Sequence, residues 1–211
     1  RIPLLAQNGF LPDLDDIPEN TCRRAKVFFF NYPNNPTGAC ANMDFFTRLV
    51  AWATTHQIFL VHDNPYSEFV LPGGEKLSLL QIPGAKEICV EFNSLSKTYN
   101  MTGWRIGMAA GHPAIIQAMS KFKENVTSGI FNAIQLASIK ALDDGDDDIE
   151  KMIRIYARRR AMARPILPLA PVTRAVSPAR SSKLLTGGVT AGEVFAGMCC
   201  SSPEDSVSVP P

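Results

Sequence analysis

The sequence carries no charge excess of either sign: 21 Lys and Arg stand against 20 Asp and Glu, a formal net charge of +1. A chain so balanced gives no electrostatic reason to expect nucleic acid or an anionic membrane as partner. Long apolar runs are missing too. Each is interrupted within about ten residues, short of the roughly 20 that a bilayer span needs, and nothing reads as a signal peptide. Cysteine is scarce and odd in number, and Cys22, Cys40, Cys89, Cys199 and Cys200 fall in no metal-like spacing. That argues against a disulfide framework or a metal centre and makes a reducing, cytoplasmic setting the default. Internal repeats are absent, which excludes a stacked repeat array.

What remains is an ordinary globular composition: 211 residues at 45% hydrophobic content, enough for a domain with a substantial core. Short apolar runs alternate with amphipathic stretches. Residues 25–30, 58–61 and 87–92 read as buried strands, and 105–110 as one more, ended by Gly111-His112-Pro113. Residues 43–57 have helical spacing with Asn42 as cap, and 114–125, 130–142 and 149–163 follow the same period. A loop is expected through Leu71-Pro72-Gly73-Gly74. Strands separated by crossover helices predict a three-layer α/β fold with a largely parallel sheet, and a ligand crevice beyond the strands' carboxyl ends. The acidic run 143–148 reads as a helix boundary rather than a metal site, with Gly145 ending one helix and the aspartates after it favouring the positive start of the next.

Lys97 is the most informative residue. It follows the apolar run Ile88-Cys89-Val90-Glu91-Phe92, sits among the hydroxyls of Ser94, Ser96 and Thr98, and is followed by Arg105. Burial and a neighbouring cation make a lysine amine nucleophilic toward carbonyls. The hydroxyls and the planar guanidinium suit a phosphate. A nucleophilic amine beside a phosphate pocket is what a pyridoxal 5'-phosphate site requires. Such a site also needs a carboxylate facing the ring nitrogen and donors for the ring oxygen. Asp63 closes the run 58–62 and meets the first need; Tyr66 and Asn35 can meet the second. For His62, which precedes Asp63, two readings are open: a group that tunes Asp63, or a hydrogen-bonded core histidine. Trp104 reads as a packing residue. Asn35-Pro36 is expected to be a cis peptide, since the chain must reverse there while aiming Asn35 into the crevice.

Four blocks carry a family resemblance. Tyr32-Pro33-Asn34-Asn35-Pro36-Thr37-Gly38, Asp63-Asn64-Pro65-Tyr66, Ser94-Leu95-Ser96-Lys97 and Gly103-Trp104-Arg105-Ile106-Gly107 resemble, in order and spacing, the fold type I aminotransferases of class I/II. The stretch 91–105 is most similar to the LL-diaminopimelate aminotransferases. The resemblance implies Lys97 as the lysine that binds pyridoxal phosphate covalently, Asp63 as partner of the ring nitrogen, Tyr66 and Asn35 at the ring oxygen, and Ser94, Ser96 and Arg105 at the phosphate. It further implies amino-acid and 2-oxo-acid substrates, LL-diaminopimelate and 2-oxoglutarate in lysine biosynthesis among them, and a homodimer. Aminotransferases acting on alanine, aspartate or aromatic substrates share every block. A non-enzymatic alternative is the cofactor-binding sensor domain of an aminotransferase-like transcriptional regulator.

The resemblance covers residues from about 2 to 160. The family's upstream phosphate loop and stacking ring, and its downstream carboxylate-gripping arginine, find no counterpart in the motifs. The chain therefore reads as a partial aminotransferase with little or no turnover of its own. Its expected organisation is the C-terminal half of the cofactor-binding large domain at 1–145, a linking helix at 146–164, and a divergent, loosely ordered tail at 165–211. That tail, including Arg174 and Arg180, reads as the product of a frame slip near residues 161–165.

Overall fold

The computed structural model describes residues 1–70 and 74–163, together with the backbone of 197–199. After a short helix α1 (Glu19–Arg24), strand β1 (Val27–Asn31) leads into helix α2 (Met43–His56), and strand β2 (Phe59–Asp63) follows. Two 3-10 turns, Leu79–Gln81 and Ala85–Glu87, precede strand β3 (Cys89–Ser94), which runs straight into the one-turn helix α3 (Leu95–Thr98). Strand β4 (Gly107–Gly111) and helices α4 (Pro113–Val126), α5 (Asn132–Asp144) and α6 (Asp146–Ala163) complete the main body. A three-residue strand β5 (Gly197–Cys199) borders the sheet.

The sheet order is β1-β2-β3-β4-β5, with β1–β2, β2–β3 and β4–β5 parallel and β3–β4 antiparallel. The largely parallel α/β architecture is thus as expected. Between β2 and β3, where a loop is expected, the described residues form no α-helix, and the chain reaches β3 through the two 3-10 turns. The rest of the tail expected at 165–211 lies outside the described residues, as do residues 71–73 of the anticipated loop.

Helix α2 covers one face of the sheet. Asn42 Oδ1 accepts the Phe45 N–H at 2.9 Å, capping its start, and Gln57 ends it in the left-handed region at φ 54°. Phe45, Leu49 and Ala53, with Phe46 and Val50 beside them, repeat at helical spacing and are all buried. They pack on Phe30, Ile58 and Leu60 in the main core. Each of the larger side chains contributes roughly 1.5–3 kcal/mol when fully buried. On the opposite face Val61, Val90 and Ala109 meet Ile116 and Met119 of α4. A third cluster, Leu95, Met101 and Ile106, joins Ile130, Ile134 and Ala141 and fastens the segment around Lys97 to α5.

The acidic run divides as its chemistry suggests. Gly145 caps the end of α5, and Asp146, Asp147 and Asp148 fill the first turn of α6, where carboxylates oppose the helix dipole favourably.

Candidate active site

Parallel pairing aligns the carboxyl ends of three strands. Asn31 stands beside Asp63, and Asp63 beside Phe92, two residues before Ser94. Ser94 in turn pairs with Gly107 at the start of β4, so Arg105 lies just outside the sheet at the same end as Lys97. The sequence-expected residues Asn35, Asp63, Tyr66, Ser94, Ser96, Lys97 and Arg105 all come from segments that leave this one edge.

Several bonds hold those segments. Asn35 Nδ2–H donates to the Tyr66 hydroxyl at 3.4 Å, joining two expected ligands that lie 31 residues apart. Asn31, for which the motifs suggest no role, ties the edge together. Its Nδ2–H donates to the Asp63 carbonyl at 2.8 Å, and its Oδ1 accepts the Asn35 N–H at 2.8 Å. The peptide Asn35-Pro36 is cis as anticipated, and Tyr32-Pro33 is cis as well.

Ser94 serves first as the cap of α3, its Oγ accepting the Ser96 N–H at 3.3 Å. Ser96 is buried, and its carbonyl accepts from Thr102 Oγ1 at 3.1 Å. Lys97 is half-buried, and among the described residues it forms no ion pair. Lys76, Lys140 and Lys151, by contrast, are paired with Glu68, Asp144 and Asp148. Asn100 and Arg105 adopt φ values of 53° and 55°. Such left-handed conformations are uncommon for residues other than glycine and cluster at functional sites. Arg105 is exposed, with its guanidinium uncommitted to an ion pair among the described residues. Trp104 is not packed, contrary to expectation: 47% of it is exposed, since the turn through Gly103 at φ 99° points outward.

Although the Asp63 residue is exposed, desolvation of its carboxyl by the surrounding protein raises it above the usual carboxylate range, and the charge of His62 partly offsets that rise. Because its folded-state pKa is raised, Asp63 contributes most to stability when protonated, and that contribution is lost as pH rises through the folded pKa. Asp63→Asn is accordingly expected to match the parent in acid and to exceed it by up to about 0.5 kcal/mol at pH 7. The exposure of the residue keeps the effect small. Urea melts at pH 4 and pH 7 check it; a loss of stability at pH 7 contradicts it.

Glu19, Cys22 and His56 each bring one donor atom within 4.8 Å of the others. The Cys22 thiol already donates to the Ile17 carbonyl, however, and Glu19 pairs with Arg23.

Lys97 on its one-turn helix, Asp63, Ser94, Ser96 and Arg105 thus all lie beyond one end of the mostly parallel sheet, where α/β folds commonly bind ligands. Residues 1–174 match the family Aminotransferase class I and II, and the chain belongs to that family. The match extends beyond Arg160, further than the motifs alone reach. The chain is 53% identical over 159 residues to LL-diaminopimelate aminotransferase 2 of Trichormus variabilis, covering 75% of this chain and 41% of that one. It is 51% identical over 158 residues to LL-diaminopimelate aminotransferase of Syntrophobacter fumaroxidans, with the same coverages. It thus spans about two fifths of the length of these relatives. Among solved structures, a probable N-succinyldiaminopimelate aminotransferase from Thermus thermophilus superposes with a TM-score of 0.72 at 38% identity, over 78% of this chain and 44% of that one. Aspartate aminotransferase from the same organism, solved with maleate, gives 0.69 at 28% identity, over 78% and 42%.

Proposed function

We propose that this chain is part of a pyridoxal 5'-phosphate-dependent aminotransferase that acts on LL-diaminopimelate with 2-oxoglutarate in cytoplasmic lysine biosynthesis. The observation that carries the reading is the convergence of Asn35, Tyr66, Asp63 and Lys97 on one sheet edge, with Asn35 and Tyr66 already bonded. The donor set fits the cofactor: an amine for covalent attachment, a carboxylate for the ring nitrogen, two donors for the ring oxygen, and Ser94, Ser96 and Arg105 for the phosphate. When bound, the cofactor supplies an electron sink for charge developing at the substrate's α-carbon. Asp63 holds a proton at the ring nitrogen. Tyr66 and Asn35 orient the ring through its oxygen. Lys97 Nζ would hold the cofactor and, when free, would move the α-carbon proton as base and then as acid.

The names of the relatives at about 50% identity support the substrate choice. Transamination assays of the intact gene product test it: LL-diaminopimelate should be preferred over alanine, aspartate and phenylalanine, and a preference for any of these removes the assignment. The intact protein is proposed as a homodimer. Apolar residues exposed on and beside α4 and α5, namely Phe122, Val126, Phe131 and Leu136, leave surface for a second copy or for the rest of the protein. No described helix is long and apolar enough to cross a membrane. Assayed alone, the chain should turn over at least about 100-fold more slowly than an intact relative, because misplacement within such a site is enough to cost that factor.

A further inference from the structure

Beneath the crevice lies a buried charge pair that the chemistry above does not use. His62 and Glu91 are adjacent across β2 and β3, and their side chains are 0% and 3% exposed. Strand alternation turns them to the face opposite Asp63, so neither touches a ligand in the crevice. His62 Nδ1 lies 2.9 Å from Glu91 Oε2, and His62 Nε2 lies 2.9 Å from the Tyr32 carbonyl oxygen. A carbonyl only accepts, so Nε2 must carry a proton. The other ring nitrogen faces a carboxylate that also accepts from the Leu79 N–H at 2.8 Å, Ser78 Oγ at 2.9 Å and Asn93 Nδ2 at 3.2 Å. Four donors converging on one carboxylate favour its ionised form, with His62 as imidazolium.

The network's outer members are sequence neighbours of the candidate ligands. Tyr32 opens the loop that carries Asn35. His62 immediately precedes Asp63. Asn93 immediately precedes Ser94, and its Oδ1 accepts from Ser67 Oγ at 3.3 Å, next to Tyr66. The imidazole is fixed from the side by stacking on Phe30, with centroids 4.6 Å apart at 11°, and by the edge contact with Phe46 at 5.3 Å. A buried ion pair contributes little net stability compared with an apolar pair of similar volume. A network that reaches all three ligand-bearing segments is better explained by the geometry it imposes.

We infer that His62 and Glu91 are positioning residues: a strut that sets the 31–38, 63–67 and 94–98 segments relative to one another before any ligand arrives. Its use in binding pyridoxal phosphate rests on the function proposed above. The test is hydrogen–deuterium exchange on the cofactor-free chain, comparing His62→Gln and Glu91→Gln with Val50→Ala, a core variant on α2 outside the network. The strut variants should exchange at least tenfold faster in those three segments, while Val50→Ala loosens them no more than the rest of the sheet. Should either strut variant not fold, Asn93→Ala cuts an outer link and should loosen 64–69 and 94–98 alone. Uniform loosening in every variant, or none in these segments, overturns the inference. In parallel, pyridoxal phosphate affinity should fall at least tenfold in His62→Gln and Glu91→Gln but not in Val50→Ala, and parental affinity in both strut variants also overturns it. If the parent chain takes up no cofactor, the exchange comparison decides the strut by itself, and cofactor uptake by the intact gene product decides the proposed function.

Discussion

Lys97→Arg is expected to abolish covalent capture of pyridoxal 5'-phosphate. Arginine keeps the positive charge and most of the length, but its guanidinium stays protonated and cannot attack a carbonyl. In the parent chain, borohydride reduction of the cofactor-loaded protein followed by peptide mapping should place the label on the peptide containing Lys97. The setting of that residue supports the expectation. It sits on a one-turn helix whose cap is Ser94 and whose flanks are pinned by Leu95 and Met101, whereas Lys76, Lys140 and Lys151 are committed to carboxylates. Label recovered mainly on Lys76 or Lys121 of the parent, or undiminished label in Lys97→Arg, would falsify the assignment.

The candidate segments stood out in the sequence because each ends an apolar run. Asp63, Ser94 and the turn before Asn35 mark where burial stops and polar chemistry begins, and that signal is local. The strand expected at 58–61 runs on to Asp63, since pairing with Asn31 and Phe92 continues through residues whose polarity suggests a loop. The short helix Glu19–Arg24 went unread because six residues give no clear period. The antiparallel direction of β4 was likewise not legible. Whether a strand returns up or down depends on how residues 95–106 fold back, and that is set by the distant contacts of Leu95, Met101 and Ile106 with Ile130 and Ile134.

The His62–Glu91 pair shows what kind of information a single chain withholds. Each residue alone is a polar interruption in an apolar strand, open to several readings. Only the register, which puts His62 opposite Glu91, turns two interruptions into one ion pair. Burial pushes the Glu91 carboxyl upward, yet the hydrogen bond and charge of His62, with the Leu79 N–H and Ser78, outweigh it and hold the group below the usual range. A lowered folded-state pKa means that the pair's contribution is present at neutral pH and lost as pH falls through that value. Asp63, raised by desolvation, runs the other way. Acidification therefore relieves the desolvation cost of the Asp63 charge while weakening the pair beneath it. Asn31 eluded the sequence for a related reason: its bond to the Asp63 carbonyl needs the β1–β2 register.

Gly111→Ala is expected to be the most destabilising single methyl addition among the described glycines. Gly111 ends β4 at φ 147°, a conformation that residues with a Cβ rarely adopt. An added Cβ would stand 2.2 Å from the Cys89 carbonyl oxygen and 2.7 Å from Val90 Cα. Both are backbone atoms of β3, the strand that carries the lysine turn, so no side-chain rotation relieves the overlap. Strain of about 1–3 kcal/mol from the dihedral and a similar cost from overpacking make a loss of about 2–6 kcal/mol the expected size. The displacement should also reach the site, because β3 and β4 pair from Val90 opposite Gly111 through Ser94 opposite Gly107, so that backing β4 away at one end shifts Arg105 relative to Ser94 at the other. Gly129→Ala is the control: nothing lies within 4 Å of its added methyl, and its urea midpoint should stay near the parent's. A midpoint for Gly111→Ala as close to the parent as that of Gly129→Ala would show that β4 can part from β3 at little cost, and the tight β3–β4 contact would then not be what holds Arg105 beside the lysine turn.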